Sequence, residues 1–190
     1  MDANRPTPNS LIDNPMSIQD HSIDNNRTII HRTIDLPVPW LSFVTCLESR
    51  LGRYNDKTLK AANTLQELEE AVNEMRGAEP FCIFAINDHG ALSTLAGRSQ
   101  NARQYTMGNP RTATKMTAHD IRAGNHAPIV NLIYEKEPGL TTIEYDLAES
   151  VFGALTEGNE EVLQVARLID QQRDEVFQCV YNDALKKPKN

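Results

Sequence analysis

The sequence predicts an α+β domain in two layers, a mainly antiparallel sheet with helices packed on it. Three observations predict it. Two apolar runs, Phe81-Cys82-Ile83-Phe84-Ala85-Ile86 and the one within Pro128 to Lys136, have the β-branched and aromatic content of strands buried on both faces. Glu137-Pro138-Gly139 follows the second run with the proline and glycine of a type II turn, and Leu140 to Asp146 folds back as its hairpin partner. Near the C-terminus, Val162, Val165, Ala166, Ile169, Val176, Phe177 and Val180 keep a helical period. Hairpin-like groups of strands separated by helices are the pattern of the α+β class.

Taken in order, Met1 to about Asn26 is rich in Asn, Asp, Ser and Pro and has no period, which predicts a disordered or loosely docked tail. The single domain then spans residues 27–187. Arg27 to Leu36 alternates in part, with Ile30, Arg32 and Ile34 on one face of an edge strand. Pro39 opens a helix whose stripe is Trp40, Phe43, Val44, Leu47 and Leu51, with Gly52 at its C-cap. Arg53 to Asn63 reads as a polar connection. Thr64-Leu65-Gln66-Glu67 has the form of a capping box, so a helix runs from Leu65 to Arg76 and stops at Gly77.

After the apolar run at Phe81, Ala91 to Ala96 suggests a short helix and Gly97 to Asn101 a loop. Arg103 to Met107 reads as a strand, ended by Gly108-Asn109-Pro110. Ala113, Met116 and Thr117 mark a helix that carries His119-Asp120 at its end and is broken by Gly124. Asp146 is placed to cap the segment beginning at Leu147. The last helix starts at an Asn159 cap with Glu160 and Glu161 at its positive end, and closes at Lys186, Lys187 and Pro188.

The chain has 190 residues, enough for one ordinary domain and a tail, and a formal charge of -7. An acidic balance argues against a nucleic-acid surface and a polybasic membrane patch. No apolar run reaches the length of a membrane span, and the N-terminus lacks a signal-peptide pattern. Cys46, Cys82 and Cys179 are far apart and odd in number, which points to buried thiols and a cytoplasmic setting. The strands' apolar character on two faces predicts a homodimer or larger closed oligomer.

The chain has no phosphate loop, GxGxxG, metal-spaced cysteine pair or GxSxG elbow. Polar residues at strand ends remain: Asp88-His89, Asn109, His119-Asp120, Glu135 and Tyr145-Asp146. Asn87-Asp88-His89-Gly90 ends a rigid strand, which suits a positioned acid or base, and its composition equally suits a turn. In the catalytic reading His89 is the acid or base and Glu135 its partner, with Asp88, Asn109, His119 and Tyr145 binding a small organic ligand. The chemistry would be redox-neutral: isomerase, lyase, cyclase or hydrolase. Two alternatives stay open. The same groups can serve a non-catalytic ligand-binding or dimerisation module, or His89, His119 and a carboxylate can hold a metal. The residues name no cofactor.

One ordered series resembles a known family. Ile86-Asn87-Asp88-His89-Gly90, Gly108-Asn109-Pro110, Ala113 to Pro128, Glu135 and Tyr145-Asp146 with Ser150 are similar to the pattern of the domain of unknown function 302. The resemblance covers about Pro80 to Phe177. It implies a compact α+β domain whose members self-associate, and no established activity. It marks the positions of His89, Asn109-Pro110 and Glu135. The chain departs from the pattern at Asp88, at Ala148, at Asn125-His126 and in a longer segment from Arg53 to Glu79.

Overall fold

The computed structural model describes residues 18–187. A short 3-10 turn at Ile18–His21 is followed by exposed chain without regular structure. The expected tail therefore lies largely outside the described residues. Strand β1 (His31–Leu36) leads into helix α1 (Trp40–Arg50), strand β2 (Gly52–Arg53), helices α2 (Asp56–Ala61) and α3 (Leu65–Glu74), and strand β3 (Cys82–Asp88). Helix α4 (His89–Ser93), strand β4 (Ala102–Gly108) and helix α5 (Pro110–Thr117) follow. The hairpin β5 (Ile129–Glu137) and β6 (Leu140–Asp146), then helices α6 (Ala148–Leu155) and α7 (Glu160–Lys186), complete the chain.

The strands form one six-stranded sheet in the order β1-β6-β5-β4-β3-β2. Every pairing is antiparallel except the short one between β2 and β3. Helices cover one face. Ile34, Tyr105, Met107, Ile133, Ile143 and Tyr145 meet Phe43, Leu47, Phe152, Val176 and Phe177 there in a single core. The Trp40 indole closes the join between α1 and the sheet by donating to the Ile133 carbonyl at 3.1 Å. Burying such side chains stabilises by about 25 cal/mol for each Å² of apolar surface taken out of water, the main favourable contribution to the fold.

No helix among the described residues covers the opposite face. Ala85 is exposed, Leu132 and Tyr134 are half-buried, and Val130 keeps 47% of its surface. The expectation of strands buried on both faces is thus corrected: within the two apolar runs, consecutive buried residues occur only at Phe81, Cys82 and Ile83, where β3 begins. Burial pushes the Cys82 thiol up to about 11, so it stays protonated and inert.

Several boundaries also move. Gly52 does not cap α1 but begins β2, and the connection after it contains α2, capped by Asn55. The capping box forms as expected: Thr64 Oγ1 accepts from the Glu67 N–H at 3.1 Å, and Glu67 accepts from the Asn63 N–H at 2.6 Å. Helix α5 ends before His119. Asp120 caps a separate 3-10 helix, Ile121–His126, that includes Gly124. Asp146 turns to His31, and Asp170 of α7 caps α6 in its place, accepting from the Ala148 and Glu149 N–H groups at 2.9 Å each.

Candidate functional site

Asp88 ends β3 and caps α4, its Oδ1 accepting from the Ala91 N–H at 2.8 Å. His89 begins α4 and is exposed. Asn109 ends the β4 turn and caps α5, accepting from the Arg111 and Thr112 N–H groups at 3.0 and 3.4 Å. His119 is exposed beyond α5. Glu135 pins the preceding loop to the hairpin: it accepts from Asn101 Nδ2 at 2.7 Å, and its N–H donates to the Asn101 carbonyl at 2.8 Å.

Tyr145 lies beneath the helices. Its hydroxyl donates to Asp174 at 2.7 Å, and the Arg173 guanidinium sits 3.6 Å from its ring centroid. Arg173 is fully buried, bonded to the Asp170 carboxylate and to the Asp146 carbonyl at 3.2 Å. Burial lowers its pKa, and Asp170 works in the opposite sense. Tyr145 is itself shifted up, first by burial and then by its bond to Asp174. Its place in this network holds α7 to the sheet.

These six residues do not converge. Asp88 and His89 are neighbours, and the rest sit at separate places. The shallow depression that His89 lines contains Gln104, Leu132, Tyr134 and Glu144, on the uncovered face. The tyrosine and acid beside His89 are therefore the chain neighbours of Glu135 and Tyr145. Successive strand residues point to opposite faces, so a displacement of one residue changes the side of the sheet. Tyr134 donates to Glu144 at 2.9 Å, and the other Glu144 oxygen lies 3.7 Å from His31 Nε2. Among the described residues no group of three or more His, Cys, Asp or Glu is arranged to hold a metal ion.

The Gly108-Asn109-Pro110 turn leads to a different feature. A cavity of about 230 Å³ opens beside it, between the end of the sheet and helices α2 and α5. Tyr54, Phe81, Phe84, Met116, Pro128 and Phe152 are among the residues of its wall. Tyr54 and Phe84 stack with ring centroids 4.1 Å apart and planes 19° apart, which fixes one wall. Gly108 keeps the neighbouring wall thin: a Cβ there would come within 3.2 Å of Pro128 Cβ. The Tyr54 and Thr112 hydroxyls have no hydrogen-bond partner among the described residues. The motif marked this place, but Tyr54 and Phe84 carry no sequence signal of their own. Their meeting depends on the parallel β2–β3 pairing.

Comparisons with known proteins agree with this architecture. The family model described as domain of unknown function DUF302 matches residues 57–178. The fold is similar to a crystal structure of an uncharacterized conserved DUF302 protein from Bacillus stearothermophilus, with a TM-score of 0.53 and 16% identity. That match covers 81% of this chain and 97% of the other. No curated protein matches the chain. No helix among the described residues is long and apolar enough to cross a membrane.

Proposed function

The chain belongs to the DUF302 family, which is defined without an activity, and we propose from its own geometry that it binds a small, largely apolar molecule in the cavity at the Gly108-Asn109-Pro110 turn. The observation that carries this is the preformed aromatic wall. The Tyr54–Phe84 stack stands in place before any ligand arrives, so little ordering opposes binding. A dry apolar cavity of about 150 Å³ suffices for benzene. At about 230 Å³ the space suits one aromatic ring with a short substituent. Tyr54 and Thr112 offer the hydroxyls that would orient a polar tip.

Binding, not turnover, is the reading, because His89 and Glu135 lie outside the cavity lining. Indole tests it. Titrated into the isotope-labelled protein, indole should shift the amide resonances of Gly108, Thr112 and Ala113 saturably and leave those of α4 unmoved. Ala113→Phe fills the space and should abolish the shifts while the rest of the spectrum stays folded. Indole shifts that are absent, or that survive Ala113→Phe unchanged, would refute the assignment.

A further inference from the structure

Strand β1 is an open edge of the sheet. Among the described residues it pairs with β6 on one side only. The opposite end of the sheet is different, since β2 is two residues long and Gly52 sits tight against the backbone of Met75 and Gly77. The ladder fixes which β1 groups face out. The Leu147 N–H donates to the Ile30 carbonyl at 2.9 Å, so even-numbered main-chain groups face β6. The N–H and C=O groups of His31, Thr33 and Asp35 consequently point away from the sheet. On the helix side of the same edge, Ile34, Leu36, Phe177 and Tyr181 line a groove of about 220 Å³, with Arg32 and Asp174 also in its lining.

We propose that a second copy of this chain occupies the edge, the two β1 strands pairing antiparallel about a two-fold axis through Thr33. This goes beyond the cavity reading and does not depend on it. Directly opposed residues must share a face, and only odd-numbered residues offer outward groups. Centring on Thr33 pairs Thr33 with its own copy and sets each His31 opposite the other protomer's Asp35. All six outward groups are then engaged, and each His31 ring, paired with Asp146 in its own chain, comes opposite the other copy's Asp35, paired there with Lys136. A two-residue slide one way brings Pro37, which has no N–H, into the ladder. A slide the other way calls on Ile29, which lies outside the strand. The axis stands perpendicular to the sheet, so both helix layers lie on the same side. The two β1–α7 grooves then join, with Arg32 of one copy facing Ile34 of the other.

Sedimentation velocity on the full chain, with circular dichroism to report folding, tests the proposal. The wild type should sediment as a dimer at micromolar concentration. Thr33→Pro removes an outward N–H and no inward one, and should give a folded monomer. Thr33→Cys, mildly oxidised, should form a covalent dimer, while Asn87→Cys on the open face should not. A monomeric wild type would overturn the proposal. So would a dimer that persists in folded Thr33→Pro, with Thr33→Cys failing to cross-link. Dimerisation that appears only after residues 1–17 are removed would show that the chain's own N-terminal segment takes the edge, and would overturn it as well.

Discussion

Asn131 is fully buried at the centre of β5, opposite Tyr105, and neither polar atom of its amide has a hydrogen-bond partner among the described residues. An amide taken out of water without a partner costs about 1–3 kcal/mol. Asn131→Leu keeps the branching at Cγ and removes the unpaired groups, so it should raise unfolding free energy by roughly 1 kcal/mol. Urea denaturation measures this. A loss of stability instead would mean that the amide is satisfied by buried water. The residue is invisible as an exception in Ile129-Val130-Asn131-Leu132-Ile133, because periodicity marks the strand without saying what each side chain meets. The same limit explains Glu135 and Tyr145. The strands carrying them were legible, but which face met His89 depends on parity, and the structure brings Tyr134 and Glu144 there.

His31 makes a pH-dependent contribution that can be signed. Its Nδ1 lies 2.8 Å from Asp146 Oδ1, and that bond is the main cause of a pKa raised above the ordinary 6.5, with burial opposing. A raised folded-state value favours the native state fully below the unfolded value and loses that effect as pH rises through the folded value. Wild type should therefore exceed His31→Gln in stability by more at pH near 5.5 than at pH near 8. The ring is half exposed, so solvent keeps the effect modest. Equal differences at the two pH values would show that the pair contributes nothing.

At the scale of elements, caps closed within one turn were legible, while those decided by a distant segment, at Gly52 and Asp146, were not. Thr64 and Asn159 each cap the helix their spacing indicates, because such a cap is written within a few residues. Gly52 reads as a cap by the same local rule, yet its role is set by a segment some twenty-five residues later. A Cβ at Gly52 would lie 1.8 Å from the Met75 carbonyl oxygen and 2.7 Å from the Gly77 nitrogen. Both are backbone atoms and cannot swing away. Gly52→Ala should consequently cost about 3 kcal/mol, the upper end of ordinary overpacking, and should disturb the β2–β3 pairing that holds Tyr54 against Phe84. Gly97→Ala is the control, since nothing lies within 4 Å of a Cβ there and the cost reduces to that of its φ of 68°. Thermal melts that rank the two variants the other way would contradict this account.

At the scale of the whole molecule, the antiparallel sheet and its helices followed from patterns each strand and helix carries alone. The uncovered face did not, because alternation of side chains says which residues share a face and not whether anything lies above it. The domain boundary can be tested directly. Between His21 and Ile30 every residue is exposed and none belongs to a helix or strand beyond the turn at Ile18–His21. Two ties join this end to the domain within residues 27–30: the Arg27 charge acts on Glu157, and the Ile30 N–H donates to Ser150 Oγ at 3.0 Å. A chain beginning at Arg27 keeps both ties and every residue of the core. Its melting temperature should lie within about 2 °C of the full chain's, since 1 kcal/mol moves a domain of this size by about 2–4 °C. Limited proteolysis of the full chain should cut ahead of Arg27 first and leave a resistant fragment that starts near it. A fall of more than about 4 °C would place a stabilising contact among the removed residues. Slow cleavage in the same preparation would then identify that segment as a docked arm.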